Sequence, residues 1–194
     1  MNPQRVAVKF FAVDAAAPIE LHAFIGMFHR FIQEATVEGL LIDVADYAHV
    51  PEGPGVVLIG HDVDYAIDLS GGRVGLLTTL KRLGEAPLGE TVRTAVRRAL
   101  VAVAAIESDG STGLRFATDA AVVHFPDRLA TPNAAAAYEA VVKDVEPVAR
   151  ELFGDAANDA AREHTDDERK VLAVRISSSE SVAAAALLER LGSA

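Results

Sequence analysis

Apolar and polar residues alternate along the segment 56–81, and this is the strongest pattern in the chain. Between positions 57 and 69 the odd positions are mostly apolar, whereas even positions carry Asp62 and Asp64. Such alternation is typical of a β-strand with one buried and one solvated face. The stretch 70–72, Ser-Gly-Gly, has the composition of a tight turn, because glycine adopts positive φ at no steric cost. The segment therefore predicts a long β-hairpin.

The turn also predicts the register of the hairpin. If Gly71 and Gly72 form the loop, Tyr65 lies opposite Thr78. A loop at residues 70–71 shifts the pairing and keeps the same two faces. Both registers give one buried and one solvent-exposed face, so the pattern predicts a hairpin with either position of the loop.

Four segments have the three- and four-residue apolar spacing of amphipathic helices. They cover residues 18–37, 90–107, 131–153 and 177–191. Thr131 before Pro132 predicts the start of the third helix, and Ser177 with Glu180 forms a capping-box pattern that predicts the start of the fourth. Pro147 predicts a break or kink within the third helix.

Further strands are predicted from short runs of β-branched and aromatic residues. They cover residues 6–13, 40–47 and 171–176, with one or two more within 114–125. The strand 40–47 is apolar enough for a central position. Because hairpins and helices are mixed without strict alternation, we expect an α+β fold. Its mixed, mainly antiparallel sheet would carry the long hairpin and pack against about four helices.

The chain length of 194 residues fits one α+β domain over residues 1–194. Within it, the segment 155–170 is the most polar stretch, and we expect a mobile loop or a frayed helix there.

The composition narrows the classes of protein. There is no cysteine, which excludes disulfides, iron–sulfur clusters and a thiol nucleophile. The longest apolar runs are far shorter than the roughly 20 residues of a membrane helix, and the first residues lead into a strand without a secretory leader. We therefore expect a cytoplasmic location and no membrane partner. The 51% hydrophobic content is high for a soluble chain, and it predicts self-association as a homo-oligomer.

Charge is unevenly placed along the chain. The formal net charge of −10 argues against nucleic acid as a partner, because phosphate binding needs a basic face. Residues 34–68 contain eight acidic side chains and no lysine or arginine, whereas residues 69–106 contain six lysines and arginines and two acidic residues. The two blocks either neutralise each other within the fold, or form a basic groove for an anionic ligand or a surface that pairs with another subunit.

Known catalytic motifs are absent. The sequence contains no P-loop, dinucleotide fingerprint, serine-hydrolase elbow or His-Glu-x-x-His pair. The best candidates lie in the acidic hairpin and the strand before it. Oxygen and imidazole ligands for a divalent metal are available from Asp43, Asp46, His49 and His61. No particular cofactor is indicated.

The same hairpin supplies a candidate acid–base group made of His61, Asp62 and Asp64. The alternation places His61 on the apolar face and the two aspartates on the other face. All three would reach one ion only through a β-bulge, which Gly60 permits. A core-facing His61 that hydrogen-bonds within the fold is the alternative interpretation.

Two arginines are candidates for binding an anion. Arg73 follows the hairpin turn, and Arg128 follows a predicted strand end. An arginine at a strand end can bind a carboxylate or a phosphate through paired N–H groups. The alternative is an ordinary surface residue or a structural ion pair.

Several short motifs resemble a known family. They are Leu-Ile-Asp-Val-Ala-Asp-Tyr at 41–47, Gly-Pro-Gly at 53–55, Gly-His at 60–61 and Gly-Arg-Val-Gly-Leu-Leu at 72–77. A second signature covers residues 127–133. Together they are similar to a family of uncharacterised bacterial proteins of about this length. The resemblance implies a bacterial protein and carries no activity, cofactor or partner with it.

The function we favour from the sequence is that of a cytosolic homo-oligomeric binding or accessory protein without catalytic activity, with a small anionic ligand as one partner. The alternative is a small metal-dependent or acid–base enzyme that uses the acidic hairpin around His61. The sequence does not decide whether the protein is an enzyme.

Overall fold

The computed structural model describes residues 3–13 and 19–192, and these contain four α-helices and one eight-stranded sheet. The helices are α1 (Leu21–Glu34), α2 (Leu88–Asp109), α3 (Ala135–Phe153) and α4 (Ala184–Leu191). The strands are β1 (Arg5–Phe11), β2 (Leu41–Tyr47), β3 (Gly55–Gly60), β4 (Val63–Asp68), β5 (Gly75–Lys81), β6 (Ala120–Phe125), β7 (Ala161–Arg162) and β8 (Leu172–Ser177). The α+β fold predicted from the sequence is confirmed.

All eight strands form a single sheet in the order β2-β3-β4-β5-β1-β6-β8-β7. Every neighbouring pair is antiparallel. Strands β2 to β5 follow one another as a meander, and β1 is inserted between β5 and β6. The first strand of the chain therefore lies at the centre of the sheet, where its side chains meet residues from both halves.

The two faces of the sheet differ in character. Directly paired residues make a continuous row across one face, which we call the core face: Leu58, Tyr65, Thr78, Val8, Val123 and Val174. All of them except Thr78 belong to one hydrophobic core with buried residues from all four helices. The next row belongs to the opposite face, which we call the cavity face: Val57, Ala66, Leu77, Lys9, Val122 and Arg175. Charged side chains are thus concentrated on the second face.

The predicted hairpin is present with Gly71 and Gly72 in its turn, and Tyr65 pairs with Thr78 as expected. Its first arm, however, is two strands rather than one. The chain reverses at residues 61–62, so that β3 pairs with β4. A Cβ atom on Gly60 would lie 2.3 Å from the backbone oxygen of Val63, so this reversal requires glycine.

The extra reversal also changes which positions of the first arm are buried. In β3 the even positions Val56 and Leu58 face the core, whereas in β4 the odd positions Val63 and Tyr65 do. Val57 and Ile59 are also apolar, although they lie on the cavity face. In the sequence, the odd positions therefore look apolar on both sides of the turn. This is why the sequence pattern predicted a single strand.

Strand β2 lies at an edge of the sheet, so its predicted central position is wrong. Leu40 and Ile42 have exposed fractions of 67% and 58%. Of the apolar residues that suggested a central strand, these two are on the surface, whereas Leu41 and Val44 are partly buried against the core.

Helices α3 and α4 begin later than predicted. Pro18, where the first helix was expected to begin, lies outside the described residues. Thr131 does not cap α3, because its hydroxyl donates to the Asp127 carbonyl within a turn. Helix α3 continues through Pro147. Helix α4 begins at residue 184, and Ser178 forms a local turn instead of a capping box.

Among the described helices, none combines the length and the apolar character needed to span a membrane.

Opposite charges from the two sequence blocks pair within the fold. Arg97 donates two hydrogen bonds, of 2.5 and 2.6 Å, to the carboxylate of Glu38, and Arg98 lies 3.5 Å from the same group. The hydrogen bond from Arg97 lowers the pKa of Glu38. The Tyr65 hydroxyl donates to the Glu38 carbonyl at 2.8 Å. Neutralisation between the acidic and the basic block therefore accounts for part of the charge pattern.

Candidate functional site

His61 lies in the tight turn between β3 and β4 and not in the core. Its Nδ1 is 2.6 Å from Oδ1 of Asp62, and its Nε2 is 2.5 Å from Nη1 of Arg82. The side chains of His61 and Asp62 are 43% and 50% exposed. A ring with its proton on Nδ1 satisfies both contacts. The turn therefore brings His61 and Asp62 together on the surface, with both ring nitrogens already engaged.

Asp64 has a different set of contacts. Its Oδ1 is 2.7 Å from Nζ of Lys81 and accepts a hydrogen bond from the Gly60 amide at 3.2 Å. Nζ of Lys81 also donates to the Gly60 carbonyl at 2.8 Å. These bonds connect the turn to β5, so Asp64 has a structural role in holding the meander.

The four metal-ligand candidates are not assembled. Asp46 accepts a hydrogen bond from the Ala48 amide, and Asp43 accepts one from the amide of the next residue. His49 is exposed in the turn after β2. Within residues 3–13 and 19–192, no three His, Asp or Glu side chains are grouped so as to hold a metal ion. His61 accordingly has no such partners there.

The two arginine candidates separate in the structure. Arg128 is exposed in the turn after β6 and does not line the cavity that contains Arg73. Arg73 lies at one end of a cavity of about 390 Å³ on the cavity face of the sheet. Strands β1, β5 and β6 form the floor of this cavity, and segments 68–73 and 163–171 form its walls.

A buried ion pair joins the floor of the cavity to one of its walls. Nζ of Lys9 is 2.5 Å from Oδ2 of Asp68, and both side chains are 5% exposed. Ser70 donates its hydroxyl to the other carboxylate oxygen at 2.7 Å, and Lys9 also contacts the Ser70 carbonyl at 3.3 Å. Lys9 is on β1 and Asp68 on β4, so the lysine crosses β5. It does so beside Gly75, where a Cβ atom would lie 3.0 Å from Cε of Lys9 and 2.4 Å from the Phe10 carbonyl oxygen.

Three cationic side chains surround the ring of Phe11 at this end of the cavity. The guanidinium carbon of Arg73 is 3.7 Å from the ring centroid, and Lys9 and Arg175 are 5.4 and 6.0 Å away. Such contacts stabilise a cation over an aromatic face. Arg175 is paired with Glu163 at 2.5 Å, and Lys9 is paired as described above. In the described part of the chain, no carboxylate lies within 4 Å of Arg73.

His124 lines the other end of the cavity, on β6 opposite Ala7. Its Nε2 is buried and has no hydrogen-bond partner among the described residues. Burial, followed by the positive charge of Lys9, lowers the pKa of His124 to about 4. The imidazole is therefore neutral at pH 7, with one nitrogen able to donate and one able to accept.

The wall formed by segment 163–171 is held by a buried side chain. Asn133 is 1% exposed, and its Nδ2 donates to the carbonyls of His164 and Asp167 at 2.9 and 3.0 Å. Arg162 in turn donates to Oδ1 of Asn133 at 3.0 Å. The end of the second sequence signature therefore positions one side of the cavity.

The sequence pointed to Arg73 and missed three further polar residues of the cavity, Lys9, Asp68 and His124. A usable signal was present, because Lys9 interrupts the apolar run 6–11 of a central strand. A lysine in such a run is rarely buried without a carboxylate partner. Which carboxylate it meets depends on the sheet order, and this order was not predicted.

Comparisons with known proteins add no further constraint. No family model, no curated protein and no solved structure matches this chain. The resemblance noted from the sequence motifs therefore stays a prediction, and the functional conclusion depends on the geometry of the cavity.

Proposed function

We propose that this protein binds a small organic anion in the cavity on the cavity face of the sheet. The observation that carries the proposal is Arg73, which is stacked on Phe11 at one end of the cavity and has no carboxylate within 4 Å among the described residues. A guanidinium that lies over an aromatic ring and has no carboxylate partner can bind a planar carboxylate through its N–H groups. The proposal makes Arg73 the anchor of the anionic group.

The charge balance of the cavity supports an anion. Its lining includes the cations Lys9, Arg73 and Lys170 and the carboxylates Asp68 and Glu163, which gives an excess of one positive charge. The whole chain has a net charge of −10. A locally positive cavity in an acidic protein attracts anions to that position and disfavours them elsewhere on the surface.

The remaining lining favours an organic ligand over an inorganic ion. Leu77, Val122 and Phe11 contribute apolar surface, and the cavity volume of about 390 Å³ lies within the roughly 300–1,000 Å³ typical of small-molecule sites. A ligand with an apolar body and one anionic group would fit a cavity that is lined by these apolar side chains and carries Arg73 at one end. Apolar contact would supply binding free energy, and Arg73 would supply orientation.

The enzyme alternative at the acidic hairpin has less support. Both nitrogens of His61 already contact Asp62 and Arg82, and Asp64 is bonded to Lys81. A general base must be within hydrogen-bonding reach of a substrate proton, and here such a contact would first have to be broken. We therefore propose binding at the cavity rather than catalysis at this turn.

Titration calorimetry with a matched pair of probes tests the proposal. We expect 2-naphthoate to bind, and the uncharged 2-naphthamide of nearly the same shape to bind at least about tenfold more weakly, because a charge-assisted hydrogen bond contributes roughly 1.5–3 kcal/mol. Arg73→Met should remove this difference. Arg128→Met is the matched control, since Arg128 is exposed and lies outside the cavity.

Two results would contradict the proposal. One is equal affinity for the acid and the amide in the wild-type protein. The other is loss of 2-naphthoate binding in Arg128→Met with binding intact in Arg73→Met, which would place the anion at the other arginine.

A second candidate function is self-association through the outer edge of β2. Within the described residues no strand pairs with this edge, and Leu40, Ile42 and Tyr47 beside it are exposed. Free backbone N–H and C=O groups at an edge form a template for another strand. An antiparallel pair of β2 strands centred on Val44 would place Ile42 opposite the partner subunit's Asp46, so that no two carboxylates meet directly.

Light scattering coupled to size-exclusion chromatography tests the second candidate. We expect a dimer for the wild-type chain and a monomer for Ile42→Lys. Leu129→Lys is the control, because Leu129 is 99% exposed and is not part of β2. A wild-type monomer at all concentrations would contradict self-association. The predicted cytoplasmic location stays a prediction.

A further inference from the structure

The cavity has two chemically different ends. Phe11 and Arg73 lie at one end, and Ala7 with its strand partner His124 at the other. The four residues from Ala7 to Phe11 along β1 correspond to about 13 Å at roughly 3.3 Å per residue. An elongated ligand that reaches Arg73 with one end therefore approaches His124 with the other.

The two ends also differ in charge. Three cations surround Phe11, whereas His124 is neutral, because burial and the charge of Lys9 disfavour its protonation. A neutral imidazole offers an anion no charge, but it forms good hydrogen bonds to neutral polar groups. The anionic group of a ligand is thus favoured at Arg73, and a neutral polar group is favoured at His124.

His124 has unused hydrogen-bonding capacity within the described structure. Its Nε2 is buried and unpartnered, and the ring lines the cavity. A buried polar atom without a partner is unfavourable, so a ligand group that bonds to the ring gains affinity. A hydroxyl group both donates and accepts, and it therefore matches either tautomer of the imidazole.

We infer that the ligand is an elongated hydroxylated organic acid, with its carboxylate at Arg73 and its hydroxyl hydrogen-bonded to the imidazole of His124. The inference rests on the proposed function, because it needs an anion in this cavity. It adds the chemical class of the ligand and names His124 as a second residue that recognises it. His124 selects for the hydroxyl, and Arg73 selects for the carboxylate.

The test compares 6-hydroxy-2-naphthoate with 2-naphthoate by calorimetry. We expect the hydroxylated acid to bind roughly threefold to tenfold more tightly to the wild-type protein, which is the range for one neutral hydrogen bond. His124→Leu should bring the ratio of the two affinities to one. His124→Gln should keep part of the preference, because its amide can also donate and accept.

A spectroscopic readout keeps the test independent of the stability of the variants. In the wild-type protein, the ring ¹⁵N resonances of His124 should shift when 6-hydroxy-2-naphthoate binds and much less when 2-naphthoate binds. Equal affinities for the two acids, with 2-naphthoate binding still dependent on Arg73, would overturn the inference and leave the proposed function standing. No Arg73-dependent binding of either acid would overturn both.

Discussion

Nζ of Lys9 on β1 lies 2.5 Å from Oδ2 of Asp68 on β4, and the two residues are joined across the intervening strand β5. Both are almost fully buried, Lys9 at the floor of the cavity and Asp68 at its wall. Each charge is removed from water and depends on the other for compensation. The pair therefore holds the positively charged end of the cavity in place.

Removing one member of this pair should be strongly destabilising. We expect Lys9→Met and Asp68→Asn each to lower the free energy of unfolding by about 3 kcal/mol, because each leaves an uncompensated buried charge. The double variant should cost less than the sum of the two. Urea unfolding measures all three. Additive effects, or single effects below about 1 kcal/mol, would contradict a coupled buried pair.

Gly75→Ala should be destabilising for a related reason. A Cβ atom at Gly75 would lie 2.4 Å from the backbone oxygen of Phe10, so the pairing of β5 with β1 has to shift. We expect a loss of about 2 kcal/mol or more in unfolding free energy. Gly84→Ala is the matched control, because nothing lies within 4 Å of the added carbon there. Similar effects of the two substitutions would show that the close approach at Gly75 is unimportant.

The α+β fold, the four helices and the register of the β4–β5 hairpin could be predicted because they depend on local patterns. Glycines 71 and 72 take positive φ in the turn as their sequence indicates. The reversal at residues 61–62 could not be read from alternation, because Val57 and Ile59 are apolar on both interpretations. Local periodicity does not report which apolar face is covered.

The candidate site was predictable only in part. Arg73 was identified from its position after a turn, but the grouping of Lys9, Asp68 and His124 requires that β1 lies between β5 and β6. That order depends on pairing between strands that are far apart in sequence, which local patterns do not report. The acidic hairpin was a candidate site because its carboxylates are close in sequence, but in the structure Asp64 forms a salt bridge with Lys81.

Asn133 should control the wall of the cavity. Asn133→Ala removes two hydrogen bonds to the carbonyls of His164 and Asp167 and one from Arg162. We expect faster amide hydrogen exchange in residues 161–171 with the rest of the sheet unchanged, and weaker binding of 2-naphthoate. Asn158→Ala is the control, because Asn158 is exposed and its side-chain amide donates a single hydrogen bond, to Oγ of Ser177 at 3.1 Å, outside the segment 163–171. Unchanged exchange in this segment would show that Asn133 does not anchor it.

His124 should make stability depend on pH. Its pKa is lowered from 6.5 to about 4, so between these values the unfolded chain takes up a proton that the folded protein does not. Stability present above pH 6.5 is therefore lost as the pH falls to 4, by up to about 3 kcal/mol. Lys9, Asp68, Glu163 and His164 also face this ring or lie near it.

His124→Gln isolates this contribution from that of the neighbouring groups. The variant should lose less stability than the wild-type protein between pH 6.5 and 4, measured by urea unfolding at several pH values. If the unfolding free energy depends on pH in the same way in both proteins, the imidazole of His124 is not buried and neutral in the folded state.

Amide chemical-shift mapping during a titration with 2-naphthoate tests the central claim most directly. The account predicts that the shifted resonances lie along the cavity, at Lys9, Phe11, Arg73, Val122 and His124, and that the helices and the edge strand β2 are unaffected. Shifts confined to the helices, to β2 or to the turn at residues 61–62, or no shifts at millimolar ligand, would contradict it.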